Sequence, residues 1–203
     1  IGDFGNNVAG NRKDLHIVRI EKKSIETIHQ KIDTISFSYS NQFHFTALKP
    51  NTTNFDCEAF IVTSDSIYLF TKQWRNQNTR VYTLPKTPGN HIARHKETFK
   101  IKGLITGATY FPQHNGIALC GYSKTLRPFI YLLYDYGKSS FLDGNKRLIK
   151  LRLPFHQIEG IASTDGLHYY LTNEHFSKKP FINSPQKLHQ FDLSPYLSLF
   201  LNK

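Results

Sequence analysis

The chain has 203 residues, with no methionine, one tryptophan and two cysteines. Two cysteines make neither a disulfide-stapled framework nor a zinc-binding spacing. Cys57 opens one apolar run and Cys120 closes another, so both are expected as buried free thiols. No apolar run approaches the roughly 20 residues that a membrane-crossing helix needs. No G-x-S-x-G or comparable nucleophile signature is present, and Asp56 and Glu58 flank Cys57, which disfavours its thiolate. Acidic side chains are scarce, 15 against 26 Lys and Arg, for a net charge of +11. Such a charge attracts polyanions. The basic residues are nevertheless spread along the chain, with nothing tighter than Lys146-Arg147 and Lys178-Lys179 and no RNA-binding signature. Nucleic acid is therefore not an expected partner.

What the chain does have is strands. Residues 58–63, 67–71 and 80–84 are β-branched and aromatic runs separated by small polar turns, the composition of a pleated, half-buried surface. The same order recurs at 106–111, 117–122 and 129–134, and again at 159–162, 167–172 and 189–193. Residues 34–39, 95–102 and 146–153 alternate as a fourth strand for their units. Lysines on the last two are suited to guard an exposed sheet edge. Repetition at about 50 residues with four strands per unit predicts an all-β fold, a β-propeller of four-stranded blades. The expected blades are approximately 1–40, 55–102, 103–153 and 156–203 of a single domain, in a propeller of five or six blades. Residues 22–31 read as a connector and 176–187 as an exposed loop. Residues 197–203 read as the start of a closing strand. The first residues resemble the end of a second strand, so at least one strand, and one or two whole units carrying any export signal, are expected upstream.

A hairpin places the start of a first strand and the end of a second at one edge of a blade. With the first strand innermost, Asp56, Glu58 and Glu159 border the central channel. Asp3, Asn6, Asn7, Lys72, Trp74, Tyr122, Asn173 and Glu174 join them on that face. Five of the 15 carboxylates thus fall in corresponding places. Three readings follow: the carboxylates lock neighbouring blades through backbone N–H groups, they bind a hard cation, or they do catalysis. Asp56, Glu58, Glu159 and Glu174 are the candidate metal ligands and calcium the candidate cofactor, because oxygen donors in a ring suit Ca²⁺. Asp3, Asn6, Asn7, Lys72, Trp74, Arg75, Tyr122 and Asn173 form the candidate binding face. Trp74 with Lys72 and Arg75 is its leading exposed contact, since aromatic and arginine side chains dominate interface hot spots. His156 and His175 are the histidines nearest that face.

The strings IGDFGNN, NFDCEAFIV, DSIYLFTKQW, YTLPKTPG, LITGATY, EGIA and LTNE resemble a family of secreted bacterial β-propeller proteins of the DFGNN/EGIA type. More distantly, they resemble propellers described as esterase-like or phytase-like. The resemblance covers nearly the whole chain and implies a propeller fold and export to the periplasm or beyond; it implies no particular activity. The expected function is a non-enzymatic binding or scaffold module for a protein or glycan, acting through the channel face. The alternative is a calcium-assisted hydrolase of phosphate or ester bonds.

Overall fold

The protein is described from a computed structural model covering residues 1–201, the side chains of residue 114 and residues 198–201 excepted. It is an all-β chain. Three strands come first: β1 (Gly2–Asp3), β2 (His16–Ile20) and β3 (Ile32–Tyr39). An antiparallel meander follows, of β4 (Asp56–Val62), β5 (Ser66–Lys72), β6 (Thr79–Pro85) and β7 (Gly89–Phe99). A second such meander contains β8 (Leu104–Phe111), β9 (Gly116–Tyr122), β10 (Pro128–Tyr134) and β11 (Asn145–Lys150). In the last part, β12 (Ile158–Ala162), β13 (His168–Asn173) and β16 (Lys187–Asp192) form a three-stranded sheet, with a small hairpin, β14 (Phe176–Lys178) and β15 (Ile182–Ser184), between its second and third strands.

Each polar turn expected from sequence is built by short-range bonds. Thr63 Oγ1 lies 3.0 Å from Ser66 O and accepts from Ser66 N at 3.2 Å. Asp65 Oδ1 accepts from the Thr63 hydroxyl at 2.8 Å. At the corresponding β12–β13 turn, Asp165 Oδ1 accepts from the Leu167 and His168 amides, each at 2.8 Å.

The sheets are stacked face to face, with three apolar cores between them. Side chains alternate across a strand, so Ile67 and Leu69 of β5 enter a core with Ile35 and Phe37 of β3 and with Phe4, which follows β1. Phe70 points the other way, into a core with Ile117, Leu119 and Phe129 of the β8–β11 sheet. Ala118, Cys120, Ile130 and Leu132 face a third core with Tyr169, Leu171 and Leu197. Strands buried on both faces read as continuous apolar runs rather than alternating ones, which is the pattern of β9, buried along its whole length. Burying each large side chain contributes about 1.5–3 kcal/mol.

Two features depart from the sequence reading. β7 begins six residues earlier than expected and leaves β6 to pair in parallel with β3, from Ile35↔Gly89 to Tyr39↔Ala93. Its partner β6 ends at Pro85, a residue with no N–H to continue a ladder. The result is a seven-stranded sheet that curls nearly closed; the pairing with β3 takes residues 89–93 and stops short of Lys96. The second departure is at the end of the chain. Residues 194–201 form a helix, α1 (Ser194–Leu201), where the sequence reading has a strand over 197–203; residues 202 and 203 lie outside the described residues. Ser194 and Pro195 start that helix, proline being well suited to a first helical position. Leu197, 1% exposed, anchors it in the third core. The expected loop 176–187 holds the β14–β15 hairpin.

Candidate functional site

The first strands of three sheets share one irregularity. The register of β4 against β5 shifts between Cys57 and Ala59. That of β8 against β9 shifts between Ile105 and Gly107, and that of β12 against β13 between Ile158 and Gly160. A bulge leaves one residue unpaired and re-aims its side chain. The unpaired residues are Glu58, Thr106 and Glu159. Counting from the bulges, Lys72, Tyr122 and Glu174 are the matching positions at the ends of the second strands.

Glu58, Glu159, Lys72 and Tyr122 meet. Lys72 Nζ donates to Glu58 Oε2 at 2.6 Å and lies 3.7 Å from Glu159 Oε1. The same ammonium sits 4.9 Å from the Trp74 ring centre and 5.5 Å from that of Tyr122, where the aromatic faces attract it. The Lys72 side chain is 4% exposed, whereas Glu58 and Glu159 keep 26% and 22%. Burial alone would pull the lysine down, but the two carboxylates reverse this and hold it above its ordinary value. Burial pushes the Glu159 carboxyl up; Lys72 resists and Glu58 adds to the rise, bringing it to about 8. One ammonium faces two carboxyls, and Glu159 keeps its proton near neutrality. Tyr122, also buried, is raised to about 12.

Asp56 has a different task. Fully buried, it accepts the Asn6 amide and Trp74 Nε1, each at 2.7 Å. It therefore pins the loop after β1 and the loop after β5 to the start of β4. Thr106 ties sheets in the same way, its hydroxyl donating to Ile158 O at 2.5 Å. Sequence reasoning assigns the inter-sheet lock to Glu58 and Glu159; in the structure Asp56 and Thr106 have it. Thr106 escapes a sequence reading because only its alignment with the two glutamates, the T-G of LITGATY against the E-G of IEGIA, marks it.

The remaining candidates divide. Glu174 is exposed, and its charge adds to the rise at Glu159. Asn6, 3% exposed, is held by Asp56 and accepts the Arg12 amide at 3.1 Å. Asn173 is also buried, its amide donating to Glu174 O and Pro185 O and its oxygen meeting His189 Nε2 at 2.8 Å. Asp3 is drawn away by Arg12 at 2.8 Å, and Asn7 and Arg75 are exposed with no part in the cluster. His156 stands against His189, ring centres 5.3 Å apart, and His175 against Asn183. Lys72, expected as an exposed contact, is covered by Trp74 and Tyr122. Cys57 and Cys120 are free and buried, which pushes both thiols up.

Calcium collects six to eight oxygens. Here Asp56 is spent on two N–H donors, and the Lys72 ammonium occupies the space between Glu58 and Glu159. Among the described residues no group of three or more His, Cys, Asp or Glu is placed to hold a metal ion, and the four candidate ligands do not fit one. Nor is any helix of the described residues long and apolar enough to cross a membrane. No protein-family model matches the chain, and no match is found among curated proteins or solved structures.

Proposed function

We propose that this chain is part of a secreted or periplasmic β-propeller and acts as a non-enzymatic binding module for a protein or glycan. Binding uses the face where Glu58, Glu159 and Trp74 surround Lys72. The observation that carries this reading is the repeated bulge: three first strands break register at corresponding places, and the unpaired Glu58 and Glu159 of two of them meet at Lys72. Face-to-face stacking of up-and-down sheets around three cores supports the propeller. The aromatic-walled spot offers carboxyl oxygens for hydroxyl or amine donors and a ring for stacking. The calcium-assisted hydrolase is the weaker reading, because the oxygens it needs for the ion are bound to Lys72 and Trp74.

The test is to incubate the protein with p-nitrophenyl phosphate and p-nitrophenyl acetate, with calcium and with chelator, and to probe it separately on an array of oligosaccharides. Glu58→Gln and Glu159→Gln variants accompany both arms. The proposal expects no turnover and saturable retention of one glycan class that both substitutions weaken. Calcium-dependent turnover abolished by both substitutions without unfolding overturns it, as does retention that neither changes.

A further inference from the structure

A cavity of about 660 Å³ opens where the β7–β8 link, the β9–β10 turn and the edge strand β11 converge, and it shares no residue with the Lys72 cluster. Its volume lies inside the range of small-molecule sites. Ile101 and Phe129, 7% and 6% exposed, form the floor and belong to the core between the two meanders. Leu148, 44% exposed, stands on β11 as an apolar wall open to solvent. Gly103 lets the β7–β8 link lie against Phe129, since a Cβ there would meet the ring at 2.6 Å.

The rim carries one sign of charge. Lys102, Arg127, Lys150 and Arg152 line the cavity, and no Asp or Glu does. Among the described residues none of these four side chains has an ion-pair or hydrogen-bond partner. Four unsatisfied cations around an apolar pocket repel one another, and a bound anion with an apolar tail relieves the repulsion while covering the floor.

We infer that this cavity binds a single-chain amphiphile with an anionic head, the acyl tail on Ile101, Phe129 and Leu148 and the head among Arg127, Lys150 and Arg152. Carboxylate and phosphate heads share the needed chemistry, and both arginines can hold either in a bidentate manner. The test is isothermal titration of the whole chain with dodecanoate, dodecyl phosphate and dodecyltrimethylammonium, each kept below its micelle concentration. Dodecanoate or dodecyl phosphate is expected to bind at one site, the stronger of the two naming the head group. The cationic amphiphile is expected not to bind. Arg127→Glu with Arg152→Glu weakens binding by roughly tenfold or more, since each 1.4 kcal/mol is a factor of ten. Arg127→Gln with Arg152→Gln gives a smaller loss and guards against misfolding of the first variant. Equal binding of the cationic amphiphile, binding unchanged in both variants, or no saturable binding of either anion overturns the inference.

Discussion

Glu159 makes the stability of the protein depend on pH in a direction opposite to that of most carboxylates. Its carboxyl, 4.5 in an ordinary setting, is raised to about 8 by burial and by Glu58, against the pull of Lys72. Between those two values the folded chain holds a proton that the unfolded chain has released, so raising the pH removes stability. The contribution is complete below 4.5 and lost as the pH rises through 8. At about 1.4 kcal/mol per pH unit the whole interval corresponds to at most about 5 kcal/mol. Water at the exposed fifth of the side chain screens part of this, leaving about 2–4 kcal/mol.

Glu159→Gln replaces the protonated carboxyl by a neutral amide of similar shape. The variant is expected to match the wild type within about 1 kcal/mol at pH 5 and to exceed it by about 2–4 kcal/mol at pH 8. Urea denaturation followed by Trp74 fluorescence at several pH values measures the difference. Every other titratable group is common to both proteins and cancels from the difference. Parallel curves from pH 5 to pH 8, or a variant less stable than the wild type at pH 8, refute the assignment of the proton to Glu159.

Trp74→Phe removes one of the two donors to fully buried Asp56 and is expected to lower stability by about 1.5–3 kcal/mol, read by thermal or urea unfolding. Gly107→Ala would place a methyl 2.8 Å from Cys120 Sγ and 3.2 Å from Glu159 O; overpacking of this kind costs about 1–3 kcal/mol and should also move the Glu159 titration. Cys57 and Cys120, wholly buried with raised thiols, should resist an aromatic disulfide reagent in the native state and react together in urea. Rapid native labelling of either would show that its core opens.

The strands are legible in the sequence because three stacked cores impose their own pattern. β5, β9 and β10 have apolar residues on both faces, and runs such as IALC and FIYLL announce that without any knowledge of partners. The turns are legible for a local reason: Thr63, Asp65 and Asp165 satisfy backbone groups within a few residues. Long-range events are less visible. The departure of β7 from β6 toward β3 depends on where Pro85 stops a neighbouring strand. Helix α1 depends on Leu197 finding a core made by residues far away in the chain. The site is half legible. Corresponding positions of Glu58 and Glu159 point to a common rim, but nothing in the local sequence shows that Lys72 is covered by Trp74 and Tyr122. That covering comes from a second strand end and a loop belonging to different sheets.

Stability alone does not explain the Lys72 cluster. Burying an ammonium and a carboxylate costs several kcal/mol in lost hydration, and a well-packed apolar group of equal volume often serves as well or better. Thr106 shows that the bulged position can be filled by a neutral residue that ties two sheets with one hydrogen bond. At the other two bulges the chain instead has Glu58 and Glu159, one lysine between them, and a carboxyl whose proton is held near physiological pH. Two carboxyls around one ammonium, with the proton of Glu159 held by burial, present an acceptor and a donor side by side on a partly exposed rim. That pairing is suited to recognising a neutral ligand with hydroxyl groups, and it is the physical reason for preferring binding over metal-dependent chemistry at this face.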